Sequence, residues 1–197
     1  MKKLVVRTVV ITLASVIGIA SCLLAALALF MPQQMAVIFE SVGGYEVSVM
    51  YYENQYEKTG DIEDLVVLVD KTYGANDTRG AEKYLAKLIN HKDFESFCSK
   101  GNNEPNTLTD KEYYYGYYAL TLARNAKFSE ALKVGEDFVK DNGYTKFNPL
   151  RMLVVDYLSQ AQECEKNNLK EKLQSVISSL TDSAQIALAQ GDLLNIK

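Results

Sequence analysis

Two hydrophobic patterns divide the chain. Residues 8–31 hold no charged side chain, and none follows until Glu40. As a helix, that run would be about 36 Å long at about 1.5 Å per residue, enough to cross a hydrocarbon core of about 30 Å. From Pro32 onward the apolar positions recur at three- and four-residue intervals, and no stretch sustains the two-residue alternation of a strand. The chain therefore reads as all-α, with an N-terminal membrane segment over residues 1–31 and a helical domain over residues 32–197.

Local punctuation sets the predicted helix limits. Pro32, whose missing N–H costs nothing in a first turn, opens a helix to residue 42 with Met35, Ala36 and Phe39 on one face, and Gly43-Gly44 ends it. Residues 45–58 follow, with Val49, Tyr52 and Tyr56 in a stripe and Gly60 as C-cap. Asp61 caps a helix over 62–73 with Leu65, Leu68 and Val69 inward, and Asp77 or Thr78 opens the next, which carries Ala81, Tyr84, Leu85, Leu88 and Ile89. Residues 99–108, containing Gly101, Asn102, Asn103, Pro105 and Asn106, read as a loop. Thr109 and Glu112 form a T-x-x-E capping box for a helix to residue 125. Helices over 128–140, 148–163 and 169–180, with turns at Asn142-Gly143 and Asn167-Asn168, and a short last helix after Asp182 complete the series. Helices of this length on short turns pack as antiparallel hairpins.

Small residues recur in register along these hairpins. Gly43-x-Tyr45-x-x-Ser48-x-x-x-Tyr52 resembles the second helix of a tetratricopeptide (TPR) repeat, with Ala36 and Phe39 at the small and aromatic positions of the first helix. Ala81, preceded by Thr78, and Ala131, in Phe128-x-x-Ala131-Leu132, take the later small positions. Ser48 and Ala81 are 33 residues apart, near the TPR period of about 34, whereas Ala81 and Ala131 are 50 apart, so an insertion is placed at about 91–108. Departures are visible: Leu65 and Tyr115 hold the large aromatic position, Gly60 and Gly143 replace the closing proline, and Gly135 stands where an aromatic is expected. The resemblance covers about 32–143; residues 147–180 fit only as a hairpin. It implies an α-solenoid of about four TPR-like hairpins that binds a protein or peptide in a groove lined by the first helix of each. An irregular α-bundle with coincidental small residues is the alternative.

The run Tyr113-Tyr114-Tyr115-Gly116-Tyr117-Tyr118 spreads around a whole helix, so not every ring can face one core. In the TPR register Tyr115 and Tyr118 pack inward with Leu122, and Tyr113, Leu120 and Arg124 face the groove. The matching face of the preceding repeat offers Glu63, Val66, Asp70 and Tyr73. These seven are the candidate partner-binding residues. Alternatively, the rings fill gaps between helices.

Composition narrows the chemistry. One histidine, three cysteines and no tryptophan leave no material for most zinc sites or for His-based catalysis. His91 reads as an exposed helix-end residue. A calcium loop from Asp70 fails, because Ala75 sits where glycine is needed and Glu82 falls one residue late. Asn76-Asp77-Thr78 reads as a turn and cap, and Glu63 and Asp64 as first-turn carboxylates favoured by the helix dipole. No enzyme, cofactor, metal or small-molecule substrate is expected. The net charge is −4; without Lys2, Lys3 and Arg7, 18 basic residues face 25 acidic ones, a poor match for nucleic acid.

Those three cations precede the apolar run, which predicts a single-pass cell-membrane protein, N-terminus in and C-terminus out, tethered through residues 8–31. The run exceeds the core of a cleaved signal, which favours a retained anchor. Two other fates fit parts of the sequence. Ala26-Leu27-Ala28 permits cleavage after Ala28, and Ile19-Ala20-Ser21-Cys22 resembles a lipobox with Cys22 as the lipidated residue, although Leu23 to Phe30 supply no polar tether. Cys98 and Cys164 either pair outside the cytoplasm or stay separate buried thiols. The Met-Lys-Lys-Leu start looks bacterial, and the topology is similar to that of envelope TPR proteins. The expected function is a non-catalytic, membrane-tethered module for a protein or peptide partner near the extracytoplasmic membrane face; the alternatives are a structural subunit of a membrane complex and a lipoprotein carrying the same domain.

Overall fold

The computed structural model describes residues 2–101 and 107–196, and among them every regular element is a helix. The loop residues Asn102, Asn103, Pro105 and Asn106 lie outside the described residues. Helix α1 is Lys2–Phe30, α2 Pro32–Ser41, α3 Tyr45–Thr59, α4 Ile62–Gly74, α5 Thr78–Ile89, α6 Phe94–Lys100, α7 Asp110–Arg124 and α8 Phe128–Asn142. Then α9, Pro149–Met152, runs into a π-turn, Leu153–Tyr157, and α10 (Glu163–Ser179) and α11 (Ser183–Asn195) follow. Within α1, the stretch Val6–Phe30 is long and apolar enough to cross a membrane, and none of it is buried against the rest of the protein.

The caps hold where short-range chemistry dictates them. Asp61 accepts a hydrogen bond from the Glu63 N–H, Asp77 accepts one from the Gly80 N–H, and Thr109 and Glu112 complete the reciprocal capping box. Gly60 takes the left-handed conformation at φ 63° that ends α3 and that a β-carbon would disfavour. Met31 alone separates α1 from α2; its N–H donates to the Leu27 carbonyl and its own carbonyl accepts from Met35, so hydrogen bonding runs through the junction.

Neighbouring helices pack in chain order: α2 on α3, α3 on α4, α4 on α5, then α5 on α7 across the α6 insertion, and α7 on α8. Farther on, α9 lies against α7 and α8, α10 against α8, and α11 against α10. Every expected small position is buried: Ala36, Ser48, Ala81 and Ala131 are at most 1% exposed. Two of them touch directly, because the Ser48 hydroxyl donates to the Ala36 carbonyl at 3.0 Å and closes α2 onto α3. Gly135 permits another close approach, since a β-carbon there would sit 2.6 Å from the Leu150 side chain of α9.

Two apolar cores result. One joins Leu65, Leu68, Tyr84, Leu85 and Leu88 to Phe94 and Cys98 of α6 and to Tyr114. The other joins Leu120 and Leu122 to Phe128, Leu132, Leu150, Leu153, Leu169 and Leu173. Helix α7 serves both, its tyrosine-rich first half in one core and its aliphatic second half in the other.

Three sequence expectations are corrected here. The insertion at 91–108 is not loop throughout: α6 folds in it because Phe94 and Phe97 find Tyr114 as a packing partner, with ring centroids at 6.2 and 6.1 Å. The helix expected over 148–163 ends earlier, and α10 begins at Glu163, where Gln162 and Glu165 form a capping box, so Asn167 and Asn168 lie inside a helix. His91 is not exposed: its side chain is 10% accessible, with Nδ1 accepting the Asp93 N–H at 3.2 Å and Nε2 lying 3.1 Å from the Gly60 carbonyl. An accepting Nδ1 leaves Nε2–H as donor to Gly60, so the ring ties the α3–α4 turn to the α5–α6 turn.

Candidate functional site

The tyrosines of α7 each meet a different neighbour. Tyr114 turns to α6. Tyr115 packs on Phe138 of α8 at 5.2 Å and on Phe94 at 6.0 Å. Tyr118 is half-buried against both cores. Tyr113 and Tyr117 lie toward α4: their rings are 4.4 Å apart, and Tyr117 meets Tyr73 edge-on at 5.3 Å. The Tyr73 hydroxyl shares a hydrogen bond with the Thr121 hydroxyl, which donates to the Tyr117 carbonyl at 2.7 Å. A ladder Tyr73–Tyr117–Tyr113 thus bridges α4 and α7, with edge-on and tilted ring contacts that suit the aromatic quadrupole.

Six of the seven candidate residues remain on accessible surface. Glu63, Asp70 and Arg124 are exposed, and Val66, Tyr73 and Tyr113 are half-buried. Leu120 is corrected: it is 5% exposed and belongs to the second core with Leu153 and Val154, because the α9 segment covers that side of α7. Tyr117, which is not among the seven candidates, lies between Tyr113 and Tyr73 on the α7 surface that faces α4. Its signal was present in the sequence, since Tyr113 and Tyr117 are four residues apart and share a helix face.

Electrostatics divides the face. Burial pushes the Tyr73 phenol above its usual range, against the opposing pull of Thr121 and Arg124. Burial also raises Tyr113, and the adjacent Tyr117 adds to it. Tyr114 is pushed up to about 12 by burial and then by the carboxylates of Asp110 and Asp70. Arg124 therefore acts on one side of the ladder, near Tyr73, and Asp70 on another, near Tyr114. Glu63, Asp70 and Arg124 form no ion pair with another described residue, unlike Glu40 with Lys71 or Glu82 with Lys127.

The cysteines do not form a site. Cys98 is a buried free thiol in the first core and Cys164 an exposed free thiol at the start of α10, so the pairing considered from sequence is not formed. Geometry explains it. Cys98 clusters with Tyr114, whereas Glu165, next to Cys164, is reached through the Tyr157 hydroxyl, which donates to the Ala123 carbonyl. The two thiols thus lie in different surroundings, Cys98 enclosed in the first core with α6 and Tyr114, and Cys164 exposed on α10, which packs against α8. Burial, followed by Asp110 and Glu95, pushes the Cys98 thiol up to about 12. In the native protein a polar maleimide is therefore expected to label Cys164 and spare Cys98 until denaturant is added, as read by intact mass. Equal native labelling, or a non-reduced mass showing a bond between them, would contradict this arrangement.

Among the described residues no group of three or more His, Cys, Asp or Glu side chains converges as a metal site would require. Compared with family models, curated proteins and solved structures, the chain gives no significant match.

Proposed function

We propose that the chain is a membrane-tethered, non-catalytic, TPR-like module that binds a protein or peptide partner across the α4–α7 face, on the extracytoplasmic side of the cell membrane. The observation that carries this reading is the half-buried Tyr73–Tyr117–Tyr113 ladder flanked by exposed Glu63, Asp70 and Arg124, which form no ion pair with another described residue. Tyrosine supplies contact area at low entropic cost and keeps a hydroxyl for the partner's backbone, and separated charges select one direction of a bound segment. Chain-order packing of the hairpins and burial of all four small positions support a solenoid in which these first helices line one face. Lys2, Lys3 and Arg7 support retention of the N-terminus in the cytoplasm. A tether raises the local concentration of a weak groove near membrane-associated partners, so modest affinity suffices.

Photocrosslinking in intact cells tests the face. Photoreactive residues at Asp70 and Arg124 are expected to capture a common species that one at Lys170, exposed on α10, does not, and R124E is expected to remove the adduct formed from position 70. Indistinguishable capture from all three positions would reject the groove. A permanent structural subunit is the second reading, favoured by exposed Val37, Ile38, Val42 and Met50. It would appear as co-purification in fixed stoichiometry that R124E leaves intact.

A further inference from the structure

The uncharged character of the membrane segment does not stop where α1 ends. Between Arg7 and Glu40 there is no charged residue, and this interval takes in most of α2. Glu40 itself is turned inward: its carboxylate receives the Lys71 ammonium at 2.5 Å, and the Ser48 hydroxyl approaches the other oxygen at 3.4 Å. Ala36 is buried and Phe39 half-buried against the domain, so the opposite face of α2 presents Gln33, Gln34, Val37 and Ile38. Val37 is 56% and Ile38 44% exposed, and these four residues line a shallow concavity of about 450 Å³ whose surface is almost wholly apolar. Val42, just past α2, is 78% exposed.

Position decides what covers this face. About 20 residues of helix consume a hydrocarbon core of about 30 Å, so a span entered near Thr8 is used up by about Ala28. Leu29, Phe30 and Met31 then fall in the boundary layer, and α2 begins one residue later with no linker. Hydrogen bonding through Met31 limits how far α2 can move from the end of α1. A short helix carrying neutral amides and aliphatics but no outward charge, held at that depth, suits the zone between acyl chains and headgroups.

We propose that the Gln33–Gln34–Val37–Ile38 face of α2 is a lipid-contact surface, seated in the boundary layer of the leaflet from which α1 emerges. The first hairpin is then laid on the bilayer rather than held on a stalk. This rests on the reading of α1 as a retained membrane span, and the test separates the two.

The chain contains no tryptophan, so a single substitution creates the only indole reporter. Full-length V37W and I38W, with L24W in α1 and K170W on α10 as references, would be reconstituted in phosphatidylcholine vesicles with bromines either near the carbonyl end or near the methyl end of the acyl chains. Expected for V37W and I38W is blue-shifted emission relative to K170W, quenched more by the shallow bromines than by the deep ones, alongside bromine quenching of L24W. If L24W is quenched while V37W and I38W behave like K170W, the lipid-contact face is overturned and the membrane span stands. If L24W is also unquenched, the span fails and the inference with it. A blue shift at positions 37 and 38 that ignores bromine and disappears as protein is diluted in lipid would mean that a second copy covers the face, which also overturns the proposal.

Discussion

Raising the pH above 10 is expected to unfold the helical domain in one cooperative step, with the buried phenols ionising as the helices are lost. Tyr73, Tyr84, Tyr113, Tyr114, Tyr115, Tyr118, Tyr144 and Tyr157 all have pKa values raised from 10.0, each chiefly by burial. A phenol that ionises later in the folded chain than in the unfolded one keeps its proton preferentially in the fold. Its contribution is therefore complete below pH 10 and is lost as the pH climbs through the folded value. Tyr114, 9% exposed and shifted from 10.0 to about 12, loses on the order of 3 kcal/mol across that window. A domain of this size has roughly 5–15 kcal/mol in total, so the loss at Tyr114, joined by losses of the same sign at the other raised phenols, draws the stability toward zero. Phenolate absorbance and helical circular dichroism recorded on the same sample should show an early fraction of the 13 tyrosines titrating with the helix intact, then a second fraction rising as ellipticity falls. A single phase near pH 10 with unchanged ellipticity would mean that the rings between α4, α6, α7 and α8 are open to water.

That coupling also shows which parts of the architecture are legible in sequence. Limits set by contiguous residues were read directly: the caps at Asp61, Asp77 and Thr109, the left-handed Gly60, and the small residues at 36, 48, 81 and 131. Features that depend on distant partners were not. Helix α6 has seven residues, too few to be stable by local propensity, and it exists through Phe94 and Phe97 against Tyr114. His91 carries no local sign of its bond to Gly60, 31 residues earlier. Of the seven groove candidates, Leu120 was misplaced for the same reason. Helical periodicity gives the face of α7 a residue occupies, but only the tertiary arrangement reveals that the segment after α8 folds back over that face. Conversely, the tyrosine run looked anomalous on one helix because the neighbours that separate its rings lie on three others.

The C-terminal helix depends on one buried carboxylate, and D192A is expected to lower the melting temperature by about 5–15 °C, corresponding to about 2–4 kcal/mol. Asp192 is 2% exposed; its two oxygens accept from Arg151 Nη1 at 3.0 Å each, and one also accepts from the Tyr144 hydroxyl at 2.9 Å. The Tyr144 backbone N–H donates to the Gln185 side chain, so α11 is tied at two points to the segment after α8. Burial raises the Asp192 pKa above 3.8 even though Tyr144 and Arg151 pull it down. By the sign of that shift, stability from this group is greatest below 3.8 and declines as the pH rises through the folded value, so holding the charge inside costs more than its partners return. Breaking the cluster is worse still, since alanine leaves the 1%-exposed Tyr144 hydroxyl without its acceptor. Arg151, with a quarter of its side chain accessible, regains water, which places the effect below the upper limit for a severed buried pair. The decisive comparison is the triple change D192L, R151M and Y144F, which removes all the partners together and is expected to recover most of the loss. If D192A alone leaves the thermal transition unchanged in circular dichroism of the full chain in detergent, α11 is not fastened through this carboxylate, and its packing on α10 through Ala189 and its neighbours is what holds it.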